Sequence, residues 1–277
     1  VLGRRTDGYH EIRTLFQSID LCDEIEFRPA PRLELSCENL PGISRENNLV
    51  WKAASTLAST VAGGRRGARI ILRKRIPAGS GLGGGSSNAA ATLLGLLRFW
   101  QIEEQGTDLL RLAAGLGSDV PFFLSGGTAL GAGRGDIIQP LPDLPPGHLV
   151  VIFPGVQVST SEAYRSLNLG LTSSAEDHRI LRFCSQAQEG RYCLAGIFND
   201  FEASVLPACP PIREARSFLM ERGSIATLLS GSGSSVFGFF PDEESAFAVA
   251  REKTRETWRV FPAKTLSRAE YFQYMFG

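Results

Sequence analysis

The chain has no excess of charge of either sign. Its 277 residues include 29 Lys+Arg and 29 Asp+Glu, so the formal net charge is zero. A protein that grips nucleic acid by its phosphates usually carries a clear basic excess, and the balance therefore argues against that class. One dense basic stretch does lie between Arg65 and Arg75. This stretch has two possible interpretations: a solvated strand face, or a region close to a bound phosphate or nucleotide.

Paired cysteines and long apolar runs are missing as well. The sequence contains five Cys, an odd number, and no Cys-x-x-Cys pair, which argues against a disulfide scaffold or a zinc site. We expect each Cys to be a small buried apolar residue in a cytoplasmic protein. No apolar run approaches the roughly 20 residues that span a bilayer, so we expect no membrane partner. The sequence does not indicate an oligomeric state.

The hydrophobic pattern mixes strands and helices without the regular alternation of βαβ units. In the first half, residues 11–28 and 68–75 alternate like strands, and helices are predicted to begin near residues 47–50, 88 and 107. In the second half, the predicted elements are a strand at 149–153, helices at 176–187 and 212–220, strands at 225–229 and 236–240, a helix at 243–254 and a strand at 259–263. This mixture favours an α+β fold.

A proline-rich segment marks the expected boundary between two domains. Four prolines fall within seven residues from Pro140 to Pro146, which is typical of a linker. A length of 277 residues suits one large domain or two modest ones. We therefore predict an N-terminal domain of residues 1–140 and a C-terminal domain of residues 141–277.

A glycine-rich loop joins a predicted strand to an amphipathic helix. Five glycines fall between Gly79 and Gly85, and Ser86 and Ser87 follow at the start of the helix. Glycine lets the backbone turn sharply and lets a ligand come close. The unpaired N–H groups and the dipole of a helix N-terminus attract an anion. The loop therefore predicts phosphate binding rather than a flexible linker.

Two common nucleotide-binding motifs contain a glycine-rich loop, and this loop fits one of them only in part. It is not a Walker A loop, because no Lys-Ser or Lys-Thr follows its last glycine. It matches G-x-G-x-x-G at Gly79, Gly81 and Gly84, which keeps an NAD(P)-binding dehydrogenase open as an alternative. A dinucleotide fold also needs a strand that ends in an acidic residue about 20 residues on. Glu103 and Glu104 lie near that distance in a polar segment.

Three segments together resemble a known family. Residues Pro77–Ala89 resemble the phosphate loop of the galactokinase, homoserine kinase, mevalonate kinase and phosphomevalonate kinase (GHMP kinase) superfamily, and Leu229–Val236 resembles its second glycine loop. Asp7–Glu11, Gly117–Phe122 and Phe153–Val156 resemble one branch of it. The members of that branch phosphorylate a hydroxyl of 4-diphosphocytidyl-2-C-methyl-D-erythritol in the non-mevalonate pathway of isoprenoid, or terpenoid, biosynthesis. The resemblance covers essentially the whole chain in the right order.

The resemblance implies a fold, cofactors and a set of binding residues. The fold would be α+β, with an N-terminal domain like ribosomal protein S5 and a C-terminal domain like ferredoxin. ATP and Mg²⁺ would be the cofactors, and a small cytidine nucleotide would be the substrate; no protein ligand of the metal is predicted. The residues expected at ATP are Pro77, Gly79, Ser80, Gly81, Leu82, Gly83, Gly84, Gly85, Ser86, Ser87, Asn48 and Lys74. The residues expected at the substrate are Tyr9, His10, Tyr164, Thr160, Gly231, Ser232 and Gly233.

Asp119 is the catalytic candidate that the resemblance implies. It would accept the proton of the substrate hydroxyl. Its sequence neighbours are compatible with that role, because a carboxylate among apolar residues needs a partner or a task. The alternative role is to cap the following turn through an Asx hydrogen bond. Tyr9 and Tyr164 would stack on the two faces of the cytosine, and His10 would hydrogen-bond its edge.

One family segment has no counterpart in this sequence. The resembling kinases place a Lys beside the catalytic Asp, in an opening Pro-Ala-Lys strand, and Val1–Arg5 resemble the stretch that comes shortly after it. We expect the intact protein to carry that strand, so a plastid location also stays open. Pro262-Ala263-Lys264 imitates the motif at the wrong end of the chain and is taken as a coincidence. The alternatives are another GHMP kinase and a non-catalytic nucleotide-binding protein.

Overall fold

The computed structural model describes residues 1–38, 43–61, 66–103, 108–167, 180, 182–186, 189, 194, 197–252 and 254–276. Within these ranges the chain forms two regions that are each built of helices packed on sheets. The elements of the first region are β1 (Gly3–Arg4), β2 (His10–Glu11), β3 (Thr14–Gln17), β4 (Glu24–Arg28), β5 (Leu33–Glu38), α1 (Leu49–Val61), β6 (Ala68–Arg73), α2 (Gly84–Phe99), α3 (Leu109–Leu116), α4 (Val120–Ser125), β7 (Thr128–Ala132) and β8 (Ile137–Pro140).

The second region begins with the first strand after the proline-rich segment. Its elements are β9 (His148–Phe153), α5 (Thr160–Ser166), α6 (Glu202–Ala208), α7 (Pro210–Glu221), β10 (Ala226–Leu229), β11 (Val236–Phe240), α8 (Glu243–Arg251), β12 (Arg259–Lys264) and α9 (Arg268–Phe276). The strands β10, β11, β9 and β12 form one sheet in that order, with each neighbouring pair antiparallel. The first region contains the sheets β1-β2, β3-β7-β8 and β4-β6-β5.

The core of the first region lies between the sheet β4-β6-β5 and helices α1 and α2. Leu57, Ile70 and Leu93 are fully buried there, because apolar residues recur at helical spacing in α1 and α2 and alternate in β6. Gly95 lets α2 approach the sheet closely, since a Cβ at this position would lie 2.5 Å from Cε2 of Phe27. This core fixes the start of α2, which follows the glycine-rich loop.

The sheet of the second region is covered on both faces. Ile152, Ile212 and Leu219 are fully buried in the core that this sheet forms with the helices that pack on it. A separate buried cluster includes Leu149 and Val151, and Leu82 of the glycine-rich loop packs against it. Since neighbouring side chains of a strand point to opposite faces, strand β9 contributes to both clusters. The glycine-rich loop thus lies at the junction of the two regions.

The helices and strands confirm the predicted α+β fold, but several details differ from the prediction. The residue that caps α3 is Asp108, whose side chain accepts a hydrogen bond from the Arg111 amide, and not the predicted Thr107, which lies outside the described residues. The expectation that each Cys is buried is wrong for Cys22 and Cys37, which are exposed. Strand β5 and helices α5, α6 and α9 were not predicted. Most of the predicted helix 176–187 lies outside the described residues.

The domain boundary near residue 140 stays a prediction. β8 ends at Pro140, and β9 opens the second sheet at His148. Helix α9 returns to the first region, where the Tyr271 hydroxyl donates a 2.7 Å hydrogen bond to the Phe123 carbonyl. In the described part of the chain, no helix combines the length and the apolar character needed to cross a membrane.

Candidate active site

The glycine-rich loop takes a backbone path that requires glycine. Gly79, Gly81 and Gly83 have φ values of +67°, +77° and +66°, in the left-handed region that side chains disfavour. Gly83 is also the N-cap of α2, so the loop ends where the first amide groups of the helix are unpaired. The predicted strand, glycine loop and helix are therefore all present. The arrangement offers N–H donors and the positive end of a helix dipole to an anion.

A second turn, residues 230–235, packs directly on this loop. It connects β10 to β11. The Ser230 hydroxyl donates a 2.9 Å hydrogen bond to the Gly81 carbonyl, and the Ser235 amide donates a 2.8 Å hydrogen bond to the Ser80 carbonyl. A Cβ on Gly81 would lie 2.5 Å from the Ser230 carbonyl oxygen. The two glycine-containing turns therefore form one unit.

The loop lines two cavities. The larger is a cleft of about 1880 Å³, and its walls include Asp119 together with Gly81, Gly83 and Ser87. The smaller has a volume of about 350 Å³, and the loop residues that line it run from Pro77 to Ser86. The same loop therefore separates the two cavities, and Gly79, Gly81, Leu82, Gly83 and Ser86 line both.

All of the residues predicted at ATP except Ser87 line the smaller cavity, and Ser87 lines the cleft. Asn48 and Lys74 lie at the smaller cavity together with the loop. Asn48 also has a local structural task, because its Oδ1 accepts a 2.9 Å hydrogen bond from the Val50 amide at the start of α1.

Lys74 is held by a buried carboxylate that sequence reasoning missed. Its Nζ forms an ion pair with Oδ2 of Asp23, whose side chain has no exposed surface. The same carboxylate accepts hydrogen bonds from the Arg75 and Ile76 amides, at 2.6 and 2.8 Å, and from Nδ2 of Asn88, at 2.9 Å. Asp23 thus joins the segment before the loop to the helix after it. The sequence around Asp23 carries no motif that predicts this.

Asp119 lies at the wall of the cleft, immediately before α4. Solvent reaches its carboxylate from the cleft, yet protein encloses it on enough sides that burial raises the pKa of Asp119 above its usual value. Its side chain makes no capping hydrogen bond to α4, so the alternative role as a cap is not observed. A Cβ added to Gly135, in the turn between β7 and β8, would lie 3.8 Å from Oδ1 of Asp119, so this turn approaches the carboxylate closely.

An aromatic stack lies in the same cleft. The His10 and Tyr164 rings are stacked with centroids 4.7 Å apart, and Phe201 meets Tyr164 edge-on at 4.9 Å. Burial, followed by the negative charge of Asp119, raises the pKa of Tyr164 to about 12. Burial, followed by the positive charges of Arg4 and the N-terminal amino group, lowers the pKa of His10. The stack is therefore neutral at neutral pH and lies near the carboxylate.

Tyr9 stands apart from this stack. Its ring is 52% exposed, and the Arg134 guanidinium lies 4.8 Å from the ring centroid. Arg134 is itself paired with Asp136 at 2.7 Å. The structure thus places His10, not Tyr9, against Tyr164. The expected sandwich of a base between Tyr9 and Tyr164 stays a prediction.

The remaining predicted residues lie around the second turn. Thr160 opens α5, and its hydroxyl is 3.1 Å from the Ser232 hydroxyl. Gly231 accepts a 2.7 Å hydrogen bond from Nδ2 of Asn199. The cleft therefore brings together the catalytic candidate and the substrate candidates, which are Asp119, Tyr9, His10, Tyr164, Thr160, Gly231, Ser232 and Gly233. Arg134 and Asn199 line the same cleft, and sequence reasoning missed both.

Comparison with known proteins identifies the class to which this protein belongs. The family model of the GHMP kinase N-terminal domain matches residues 48–127, and that of the GHMP kinase C-terminal domain matches residues 188–259. A crystal structure of a mevalonate kinase from Methanococcus jannaschii superposes with a TM-score of 0.68 at 16% identity, covering 94% of this chain and 93% of the other. That likeness shows the fold. The two family models and this fold define a kinase of the GHMP class.

Closer relatives narrow the family. Two curated proteins named 4-diphosphocytidyl-2-C-methyl-D-erythritol kinase are each 40% identical to the chain. The one from Syntrophus aciditrophicus covers 96% of this chain and 94% of its own length, and the one from Pelotomaculum thermopropionicum covers 96% and 93%. A crystal structure of 4-(cytidine 5'-diphospho)-2C-methyl-D-erythritol kinase superposes with a TM-score of 0.78 at 36% identity, covering 95% and 92%. The chain belongs to the 4-diphosphocytidyl-2-C-methyl-D-erythritol kinase family.

These matches also decide between the alternatives that the sequence left open. The two-domain GHMP-kinase fold is confirmed. Neither the dehydrogenase alternative nor another GHMP kinase is favoured, because the relatives that match nearly the whole chain carry one name.

Proposed function

We propose that this chain transfers the γ-phosphoryl group of ATP to a hydroxyl of 4-diphosphocytidyl-2-C-methyl-D-erythritol, a step of non-mevalonate isoprenoid biosynthesis. The observation that carries the proposal is the position of Asp119. Its carboxylate and the start of α2 line one cleft, so an acceptor hydroxyl beside Asp119 can face a phosphate held at the helix. The family to which the chain belongs supplies the identity of the acceptor.

The donor binds along the glycine-rich loop. GHMP kinases use ATP as the phosphate donor. The phosphates lie at the N-terminus of α2, where unpaired amides and the helix dipole stabilise negative charge, and the adenosine extends into the smaller cavity near Asn48 and Lys74. Gly81 and Gly83 allow the left-handed backbone path by which the loop reaches the start of α2.

Mg²⁺ bound together with ATP would supply positive charge that offsets the negative charge of the phosphates. The described residues hold no cluster of three His, Cys, Asp or Glu side chains that would make a metal site of protein groups alone. Such a cluster is not needed, because Mg²⁺ binds phosphates with only one or two protein oxygens. The Ser86 and Ser87 hydroxyls and the Asp119 carboxylate line the cleft beside the loop and fit that requirement.

Asp119 accepts the proton of the acceptor hydroxyl. As the O–H bond breaks, the hydroxyl oxygen bonds to the γ-phosphorus, and the bond from that phosphorus to its bridging oxygen breaks to release ADP. A base works best when its pKa lies near the working pH. Burial raises the pKa of Asp119, which makes the carboxylate a stronger proton acceptor.

The cytidine half of the acceptor binds at the aromatic stack. His10 and Tyr164 already form a stacked pair, and the exposed Tyr9 ring offers a further face. Stacking of a base on an aromatic ring contributes about 1–3 kcal/mol. Together with the names of the relatives, the stack favours a small cytidine nucleotide as the partner. Thr160 and the turn from Gly231 to Gly233 face the space between this stack and the phosphates.

The location of the protein stays a prediction. The sequence favours the cytoplasm, and the relatives described above are bacterial. They give no support to the plastid location.

Steady-state ADP release tests the proposal. The rate is measured with ATP and Mg²⁺, with and without 4-diphosphocytidyl-2-C-methyl-D-erythritol, for the wild-type chain and for Asp119→Asn. We expect substrate-dependent release that falls about 100- to 10,000-fold in the variant, as loss of a general base does. Asp242→Asn is the matched control, because Asp242 caps α8 and Asn caps a helix equally well. Equal rates for Asp119→Asn and the control would refute the role of Asp119.

A further inference from the structure

Residues 199–202 fasten the second turn from its open side. Strand β10 lies at the edge of its sheet, so its last residue has no strand partner there. The Leu229 amide donates a 2.7 Å hydrogen bond to Oε1 of Glu202, and the Leu229 carbonyl accepts one of 2.9 Å from Nδ2 of Asn199. Two side chains thus replace a neighbouring strand at the point where β10 enters the turn.

The Asn199 side chain has no donor left for a ligand. Its Nδ2 carries two N–H bonds, and these are used by the carbonyls of Leu229 and Gly231, at 2.9 and 2.7 Å. Its Oδ1 accepts a 3.0 Å hydrogen bond from the Phe201 amide. Although Asn199 lines the cleft, its hydrogen bonds all point into the protein, which indicates that it acts through the turn.

The turn passes any displacement on to the phosphate loop. The Ser230 hydroxyl and the Ser235 amide donate to the Gly81 and Ser80 carbonyls. The space above Gly81 is closed as well, because a Cβ there would lie 2.5 Å from the Ser230 oxygen and 2.6 Å from the Gly233 oxygen. The two hydrogen bonds and this close packing couple the turn to the loop, so a shift of the turn moves the loop.

We propose that Asn199 is a positioning residue for phosphoryl transfer, which holds the turn of residues 230–235 against the phosphate loop through its amide. The inference rests on the proposed function, and it adds a residue that neither cavity chemistry nor the glycine motifs single out. Phe201, two residues on, packs on Tyr164 and serves the cytidine side. Asn199 and Phe201 therefore support different parts of the cleft: Asn199 holds the turn beside the phosphate loop, and Phe201 packs on the aromatic stack.

The test compares binding of two probes with turnover. Asn199→Asp keeps the shape of the side chain but turns an acceptor oxygen towards two carbonyl oxygens, so it displaces the turn. We expect kcat to fall about 100-fold, as misplacement of about 1 Å does, and the Kd of ADP to rise about tenfold. The Kd of CDP, the probe of the cytidine side, stays within about twofold of wild type. For Phe201→Leu we expect the opposite result: the Kd of CDP rises and the Kd of ADP is unchanged.

Three further variants complete the experiment. Asn199→Gln retains the amide group and should recover part of the lost kcat, and Asn199→Ser removes the amide without adding charge in case Asn199→Asp does not fold. Gln139→Glu, on the exposed strand β8, controls for the change from amide to acid. Wild-type kcat and ADP affinity in Asn199→Asp and Asn199→Ser would overturn the inference, and so would an equal loss of ADP and CDP affinity. A wild-type chain that binds ADP but not CDP would contradict the proposed substrate and leave the ADP test of Asn199 intact.

Discussion

Replacement of Gly81 by alanine tests whether contact between the two glycine-containing turns is needed for activity. Gly81 has a φ of +77°, in the region where a residue with a Cβ pays about 1–2 kcal/mol. The added Cβ would also lie 2.5 Å from the Ser230 oxygen and 2.6 Å from the Gly233 oxygen. Both atoms belong to the backbone, so no side chain can rotate to make room.

The magnitude follows from these two distances. Ordinary contact with a Cβ begins at 3.4 Å, so the second turn must retreat by about 0.9 Å in a tightly packed junction. A misplacement of about 1 Å in an active site costs about 100-fold in rate. The loss of stability from backbone strain alone is about 1–2 kcal/mol, which lowers Tm by about 2–8 °C in a chain of this size. The fall in kcat therefore exceeds what partial unfolding at assay temperature would give.

ADP release and thermal unfolding, measured side by side, give the answer. Gly115→Ala is the matched control, because Gly115 lies in α3 with no heavy atom within 4 Å of an added Cβ. In that helix, alanine should raise stability by about 0.5–1 kcal/mol and leave kcat unchanged. The reasoning fails if Gly81→Ala and Gly115→Ala show the same kcat, since the turns would then tolerate separation.

Two further predictions concern the carboxylates of Asp23 and Asp119. Asp23→Asn leaves Lys74 as a buried charge without its partner, so chemical denaturation should show a loss of about 3–5 kcal/mol in the free energy of unfolding. The control is Asp108→Asn at the exposed cap of α3, which should leave stability unchanged. Unchanged stability in Asp23→Asn as well would contradict the pairing. Asp119 has a pKa that burial raises above its usual value of 3.8, so the folded protein loses stability as pH rises from that value through the raised pKa. The Tm of Asp119→Asn relative to wild type should therefore increase with pH across this window, and a pH-independent difference would contradict the burial of the carboxylate.

The sequence predicts the fold where local patterns decide it. Strand β11 begins and ends at the predicted residues Val236 and Phe240, because a short apolar run lies between a Gly/Ser turn and Pro241. The short helix α5 lacks such a signal, since its seven residues, Thr160–Ser166, bury only Ala163. Its formation depends on packing with parts of the chain that are remote in sequence, which a local pattern does not contain.

The same limit applies to the site. The glycine loop was predictable because positive φ values and a helix N-terminus require glycines in a short segment. The role of Asp23 was not, because its four hydrogen-bonding partners come from residues 74–76 and Asn88, more than 50 positions further along the chain.

The neighbouring residues Tyr9 and His10 show a finer limit. His10 begins strand β2, whereas Tyr9 lies in the bend before it. The resemblance favoured Tyr9 as the ring across from Tyr164, whereas the structure places His10 there. Which side β2 turns to the cleft depends on its pairing with β1 and on the position of α5, and neither can be read from the motif.

The central claim is that the γ-phosphoryl group goes to a hydroxyl of the cytidine substrate. Phosphorus NMR of a reaction that contains the chain, ATP, Mg²⁺ and 4-diphosphocytidyl-2-C-methyl-D-erythritol tests this most directly. The account predicts a new phosphomonoester signal that grows as ATP is consumed, in proportion to ADP, while the diphosphate of the acceptor remains intact. Inorganic phosphate as the sole product, with the acceptor left unchanged, would contradict it.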